Sequence, residues 1–164
     1  MKRSRLYILI VALCTLLAGC ESIDCTLNNV VCLRIGFYDS DSKQKVSVLD
    51  TLTITAEGTD SVLINREVKK SELKLPMSYW QDEDILRMTF TETFTLKKRS
   101  IVLRVGKTNT QHYEGPECPT VMFHNLKSVD YEDENGFVDS IVVTNKHVNY
   151  APKENIQIYL RADD

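Results

Sequence analysis

His112, Glu114, Glu117, Cys118 and His124 fall within one short stretch of the chain. Nitrogen, oxygen and sulfur donors of these kinds are what a zinc ion takes. Their spacing matches no familiar ligand pattern, and in an exported chain Cys118 has a better use in a disulfide. His124 follows Phe123 in an apolar run, where a hydrogen-bonded histidine is commonplace. No metal and no cofactor is expected. A second cluster, "WQDEDI", sets Trp80 beside Asp82, Glu83 and Asp84. Two carboxylates hydrolyse a glycosidic bond only when they flank it at a defined separation. Adjacent acids on one loop more often form a solvated turn, and Asp82 or Asp84 could instead ligate calcium. Tyr79, Trp80 and Tyr113 have the ring types of a sugar-binding platform, although packing is the commoner use of such rings. There is no G-x-S-x-G and no standout Ser, His and acid grouping for nucleophilic catalysis. The 6 glycines are dispersed, so no phosphate-cradling loop exists. Catalysis is not expected, and no catalytic residue is assigned.

The elements that position these residues begin after an N-terminal address. Lys2, Arg3 and Arg5 precede an apolar run, Leu6 to Gly19, shorter than the roughly 20 residues a membrane-spanning helix needs. A basic start, a short apolar middle and small residues at the end make a secretory signal. Leu17-Ala18-Gly19-Cys20 reads as a bacterial lipobox. Residues 1–19 are the expected signal peptide, Cys20 the lipidated residue, 20–27 a short tether and 28–164 a single domain. Glu21, rather than aspartate, after the lipidated cysteine favours the outer membrane as the resting place. Loss of residues 1–19 leaves 17 Lys and Arg against 23 Asp and Glu, a net charge of −6. A mildly acidic domain is a poor partner for nucleic acid or anionic membranes, so attachment to the membrane falls to the lipid.

The chain has 5 cysteines. Cys14 leaves with the signal and Cys20 is blocked by lipid, so Cys25, Cys32 and Cys118 remain as thiols. Three thiols allow one bridge and one leftover. Cys25 and Cys118 sit in turn-like contexts, "SIDCTLNN" and "EGPECPT", while Cys32 lies in an apolar run where a small buried thiol packs well. Cys25 with Cys118 is the expected bridge, and Cys25 with Cys32 its rival. The longer bridge closes about 90 residues and is worth roughly 4–5 kcal/mol in the chain-entropy account.

Beyond the signal the pattern is that of strands. "DTLTITAEG" alternates, with Leu52, Ile54 and Ala56 on one face and Thr51, Thr53 and Thr55 on the other. "TDSVLINR" follows Gly58 and completes a hairpin. "ILRMTFTETFTL" turns Leu86, Met88 and Phe90 inward, "KKRS" makes a turn, and "IVLRVGK" turns Ile101, Leu103 and Val105 inward. Asn135-Gly136 predicts a type I′ hairpin turn. "REVKKSELKL" predicts a loop or short turn, and Ile156, Ile158 and Leu160 predict a last strand. Eight or so short strands imply an all-β, two-sheet antiparallel β-sandwich, with a partly open barrel as the alternative.

The segments "DCTLNN", "GFYDSD", "DTLTITAEGTDSVLIN", "KTNTQHYEGPECPTVMFHNL" and "FVDSIVVTNKHVNY" resemble a family of small lipoproteins of Bacteroides and relatives, a domain of unknown function. The likeness covers nearly the whole mature chain, and Lys107 to His124 is its most specific part. The resemblance implies export, a lipid anchor, and Cys25 and Cys118 as the patterned pair with Cys32 an extra. It implies no activity, substrate or catalytic residue. Two roles follow as expectations. One is an interaction module docking on an envelope protein through an apolar patch or open strand edge. The C-terminal strand, with Gln157, Tyr159 and Arg161 facing solvent, is the edge expected to do so. The other is a glycan-binding module with Trp80 and Tyr113 lining a groove.

Overall fold

The computed structural model describes residues 30–59, 61–116 and 118–161. The expected signal peptide and 20–27 tether, with Cys14, Cys20 and Cys25, lie outside the described residues, as does Glu117. Among those described the fold is all-β, with ten strands and no helix. The strands are β1 (Leu33–Asp39), β2 (Thr51–Ala56), β3 (Val62–Glu67), β4 (Glu72–Leu75), β5 (Glu83–Thr91), β6 (Lys98–His112), β7 (Val121–Asp133), β8 (Val138–Val143), β9 (His147–Val148) and β10 (Ile156–Leu160).

They form two sheets, as expected of a sandwich. One has four strands in the order β4-β1-β10-β8, and the other six in the order β3-β2-β5-β6-β7-β9. One of the two curls into a half-barrel. The expected inward residues are inward: Leu52, Ile54, Leu86, Met88, Phe90, Ile101, Leu103, Val105, Ile156 and Ile158 are all buried. Strand side chains alternate between faces, so each run supplies one apolar face, and two such faces close on each other. Phe90 of β5 ties the sheets together. Its ring meets Phe37 of β1 edge-on at 6.0 Å and Phe137, just before β8, at 5.1 Å.

Four expectations are corrected. "REVKKSELKL" is not all loop: Glu72–Leu75 is β4, which pairs antiparallel with β1 and buries Leu73 and Leu75. Two leucines two residues apart are enough for a short edge strand when a long neighbour supplies the ladder. The β5–β6 turn spans residues 92–97 rather than "KKRS", because Lys98 already pairs with Thr91. Leu96, at φ 58°, makes that reversal. Asn135-Gly136 does not make a hairpin. Gly136 has φ 70° but Asn135 is not left-handed, and the strands on either side belong to different sheets. Asp133 organises the crossing, its carboxylate accepting from the amides of Asn135, Gly136 and Val138 at 2.7–3.0 Å. Lastly, β10 is no edge. It runs parallel to β1 on one side and antiparallel to β8 on the other, so its backbone is closed to a partner strand and the smaller sheet is not wholly antiparallel.

Candidate functional site

Two adjacent exposed aromatics, Tyr79 and Trp80, ride on the segment between β4 and β5. Trp80 is 84% exposed and Tyr79 49%. Pro76 starts this loop beside the point where the described chain enters the domain, since Leu33 pairs with Leu75. Ser78 shapes its tip: the hydroxyl accepts from the amides of Trp80 and Gln81 at 3.4 and 3.2 Å. Met77 is buried and pins the loop's start to the core.

Beneath the loop lies a buried polar network. Asp84 continues the inward period of Leu86, Met88 and Phe90 on β5. Lys107 continues that of Ile101, Leu103 and Val105 on β6 and is wholly buried. The ammonium meets Asp84 Oδ2 at 3.2 Å and donates to the Gln81 carbonyl at 2.5 Å. Ser78 N–H donates to the Asp84 carboxylate at 3.2 Å, and Lys107 N–H donates to the Asp82 carbonyl at 2.7 Å. Asn109 Nδ2 also donates to the Gln81 carbonyl, at 2.9 Å, leaving its Oδ1 to accept from His124 Nδ1 at 2.8 Å. His124 therefore carries its proton on Nδ1. The Tyr79 ring lies 6.3 Å from the His124 ring, tilted by 33°.

Burial and the nearby Lys107 charge lower the His124 pKa to about 4, so the ring is neutral at physiological pH. Burial pushes the Asp84 carboxyl above its usual range, against the opposing pull of Lys107 and the Ser78 amide. Every buried side-chain polar atom among the described residues has a partner. The arrangement is a fastening, in which Asp84, Lys107, Asn109, His124 and the Gln81 carbonyl hold one another. The expected solvated acidic turn is thus corrected for Asp84, which is inside and paired. The signal was legible: Asp84 and Lys107 each extend an inward alternation, although only the fold shows that the two meet.

The other candidates lie elsewhere. Tyr113 is 62% exposed beyond the end of β6, and among the described residues no ring contact joins it to Tyr79 or Trp80. His112 stacks on Phe123 at 4.2 Å, with Tyr150 edge-on to both. Phe123 and His124 are consecutive on β7 and point to opposite faces, so the sheet separates the two histidines. Among the described residues, no three His, Cys, Asp or Glu are placed to hold a metal ion. Cys32 is a free, buried thiol, and Cys118 is half-buried in the 113–120 loop.

Tyr159 is half-buried on the outer face of the four-stranded sheet rather than free in solvent. Its ring lies 5.5 Å from that of Tyr38, and the Lys43 ammonium sits 4.8 Å from its centroid. Its hydroxyl donates to Gln157, which donates to Glu154, which also accepts from Tyr38 and Lys45. Lys45 and Arg34 converge on Glu72 to extend this network across the face. Burial opposes the Glu154 charge, but the bonds from Gln157, Lys45 and Tyr38 outweigh it and hold the carboxyl below its usual range.

The sequence profile of the family of unknown function DUF6452 matches residues 51–160, from β2 to the end of β10. No curated protein and no solved structure matches the chain.

Proposed function

We propose that this chain, which belongs to the family of unknown function DUF6452, is a non-enzymatic, lipid-anchored interaction module of the bacterial cell envelope. It docks on an envelope protein through the Tyr79–Trp80 loop. One observation carries this reading: an indole 84% exposed is held on a loop fastened from below by a buried ion pair and a neutral histidine. A rigid, exposed aromatic loses little freedom when covered, which is why such residues anchor protein interfaces.

The anchor is Cys20, after cleavage of the signal peptide at Gly19, and the resting place is the outer membrane. Nine residues separate Cys20 from Val30, a reach of at most about 35 Å. Because the chain enters beside Pro76, the loop lies at the tethered end of the domain, and a partner seated on it is itself at or in the membrane. Cys25 is bridged to Cys118. This pairing is supported by Cys32 being the free cysteine of the described residues and already buried. Nucleic acid is not the partner, since the mature domain is acidic.

The test is capture from detergent extracts of outer membranes by the full chain. We expect one membrane protein to be retained by wild type and by Tyr113→Ala, and lost by Trp80→Ala with its fold intact by circular dichroism. Equal retention by Trp80→Ala overturns the docking surface. Absence of palmitate labelling at Cys20 overturns the anchor separately.

A further inference from the structure

The outer face of the six-stranded sheet carries a second feature, unrelated to the Trp80 loop. β2 turns Thr51 and Thr53 outward, and β5 turns Thr89 and Thr91 outward. Register aligns them: Thr53 opposite Thr89 and Thr51 opposite Thr91, with Ser100 and Lys98 of β6 next in the same two rows. The result is a lattice of hydroxyls with strand spacing of about 4.8 Å across and roughly 7 Å along. On the far side Arg66 ends the lattice. It sits at φ 54°, where β3 slips in register against β2, and this bulge aims it back over the threonines. The β5–β6 turn overhangs the other end with Thr93 and Leu96. Together these residues line an open cleft of about 620 Å³.

Its chemistry is uncommitted. Among the described residues, the side chains of Thr51, Thr53, Thr89, Thr91, Arg66 and Lys98 form no hydrogen bond or ion pair. Glu92, the cleft's carboxylate, is engaged by the Thr95 hydroxyl. Among the described residues neither Arg66 nor Lys98 has an ion-pair partner, so with Glu92 the cleft carries a net charge of +1 in a domain that is acidic overall. The two cations stand three strands apart, about 14 Å.

We infer that this threonine cleft binds an acidic saccharide, a chain of sugar units bearing carboxylates. Threonine hydroxyls both donate and accept, which matches sugar hydroxyls, while a phosphate or nucleotide backbone only accepts. Arg66 and Lys98 bracket the lattice and take carboxylates on separate units, Arg66 through its two-pronged fork. Leu96, 70% exposed, offers an apolar wall to the C–H face of a ring. The cleft lies on a sheet face with its backbone already paired, so strand addition by a peptide is not available to it.

The test is titration calorimetry of the full chain in detergent with oligogalacturonate, run beside a neutral oligosaccharide of equal length, inorganic phosphate and a single-stranded oligonucleotide. We expect saturable binding of the uronate alone, weakened by salt. Lys98→Gln and Arg66→Asn should each lower affinity about 10-fold, and Thr53→Val with Thr89→Val should abolish binding while leaving the fold intact by circular dichroism. Trp80→Ala should leave uronate binding unchanged, so failure here is distinguishable from failure of the docking surface. Absence of uronate binding overturns the proposal. So does equal binding of the neutral sugar, preference for phosphate or oligonucleotide, or binding unaffected by all four substitutions.

Discussion

At the scale of single residues, His124 and Gly36 carry the most readable consequences. His124 is buried and neutral with a pKa of about 4 against 6.5 in an exposed state. The unfolded chain takes up its proton first as pH falls. Its contribution is therefore fully present above pH 6.5 and is lost progressively as pH drops toward about 4. The loss is on the order of 3 kcal/mol. His124→Gln keeps a donor for Asn109 and has no proton to gain, so urea titrations between pH 7 and 4 should show a flatter profile. An unchanged slope would mean that His124 is not the group responsible. Gly36 lies under the Glu154 carboxylate and near the Tyr38 ring, and a Cβ there would collide with the carboxylate. Gly36→Ala should cost about 1–2 kcal/mol by forcing Glu154 out of its bonds. In a Glu154→Ala background the same change should cost less, with only the Tyr38 ring left to give way, and a double-mutant cycle measures the difference.

At the scale of elements, the loop between β4 and β5 and the two strands beneath it form one unit. Removing one partner of a buried pair leaves the other charge uncompensated, at a typical cost of about 3–5 kcal/mol. Lys107→Met should show that loss in urea denaturation, and adding Asp84→Leu should restore much of it. Trp80 is the single tryptophan, so its fluorescence anisotropy reports the loop directly. Anisotropy should fall in Lys107→Met because the Gln81 carbonyl loses the ammonium that holds it. An anisotropy equal to wild type would show that Met77, Ser78 and the bonds from Asn109 Nδ2 and the residue-107 amide hold the loop without the ammonium. The long β6–β7 hairpin is the other element of note. Gly106 faces Ser128 where the register slips by one residue, Lys127 of β7, and that slip brings Leu126 and His124 to the inner face opposite Lys107 and Asn109.

At the scale of the whole molecule, β10 decides whether the smaller sheet exists. It joins β1 to β8, so truncation before Ile156 removes the centre of the sheet and not its rim. That truncation should yield no folded domain by circular dichroism or proteolysis, whereas removal of residues 162–164 alone should leave stability unchanged within about 0.5 kcal/mol. Tyr159→Asp, which would suit a solvent-facing edge, should instead destabilise. It brings a carboxylate toward Gln157 and Glu154 and abandons the Tyr38 and Lys43 contacts.

What the amino-acid sequence determined alone is the local geometry. Leu52 and Ile54, Leu86 to Phe90, and Ile101 to Val105 repeat at two, and the pleat of an extended chain converts that period into one buried face whatever the neighbours. The all-β class follows from the same fact repeated along the chain, and so does the inward turn of Asp84 and Lys107. What only the tertiary structure decided is who pairs with whom. Nothing local in "NIQIYLRADD" makes it lie parallel to β1, more than a hundred residues earlier, and nothing in Asn135-Gly136 says that the strands on either side part into different sheets. Those choices depend on closing two apolar faces over Phe37, Phe90 and Phe137 at once. The same closure sets Asp84 against Lys107 and aligns the threonines of β2 and β5 into one lattice, because register is a property of paired strands and not of either strand by itself.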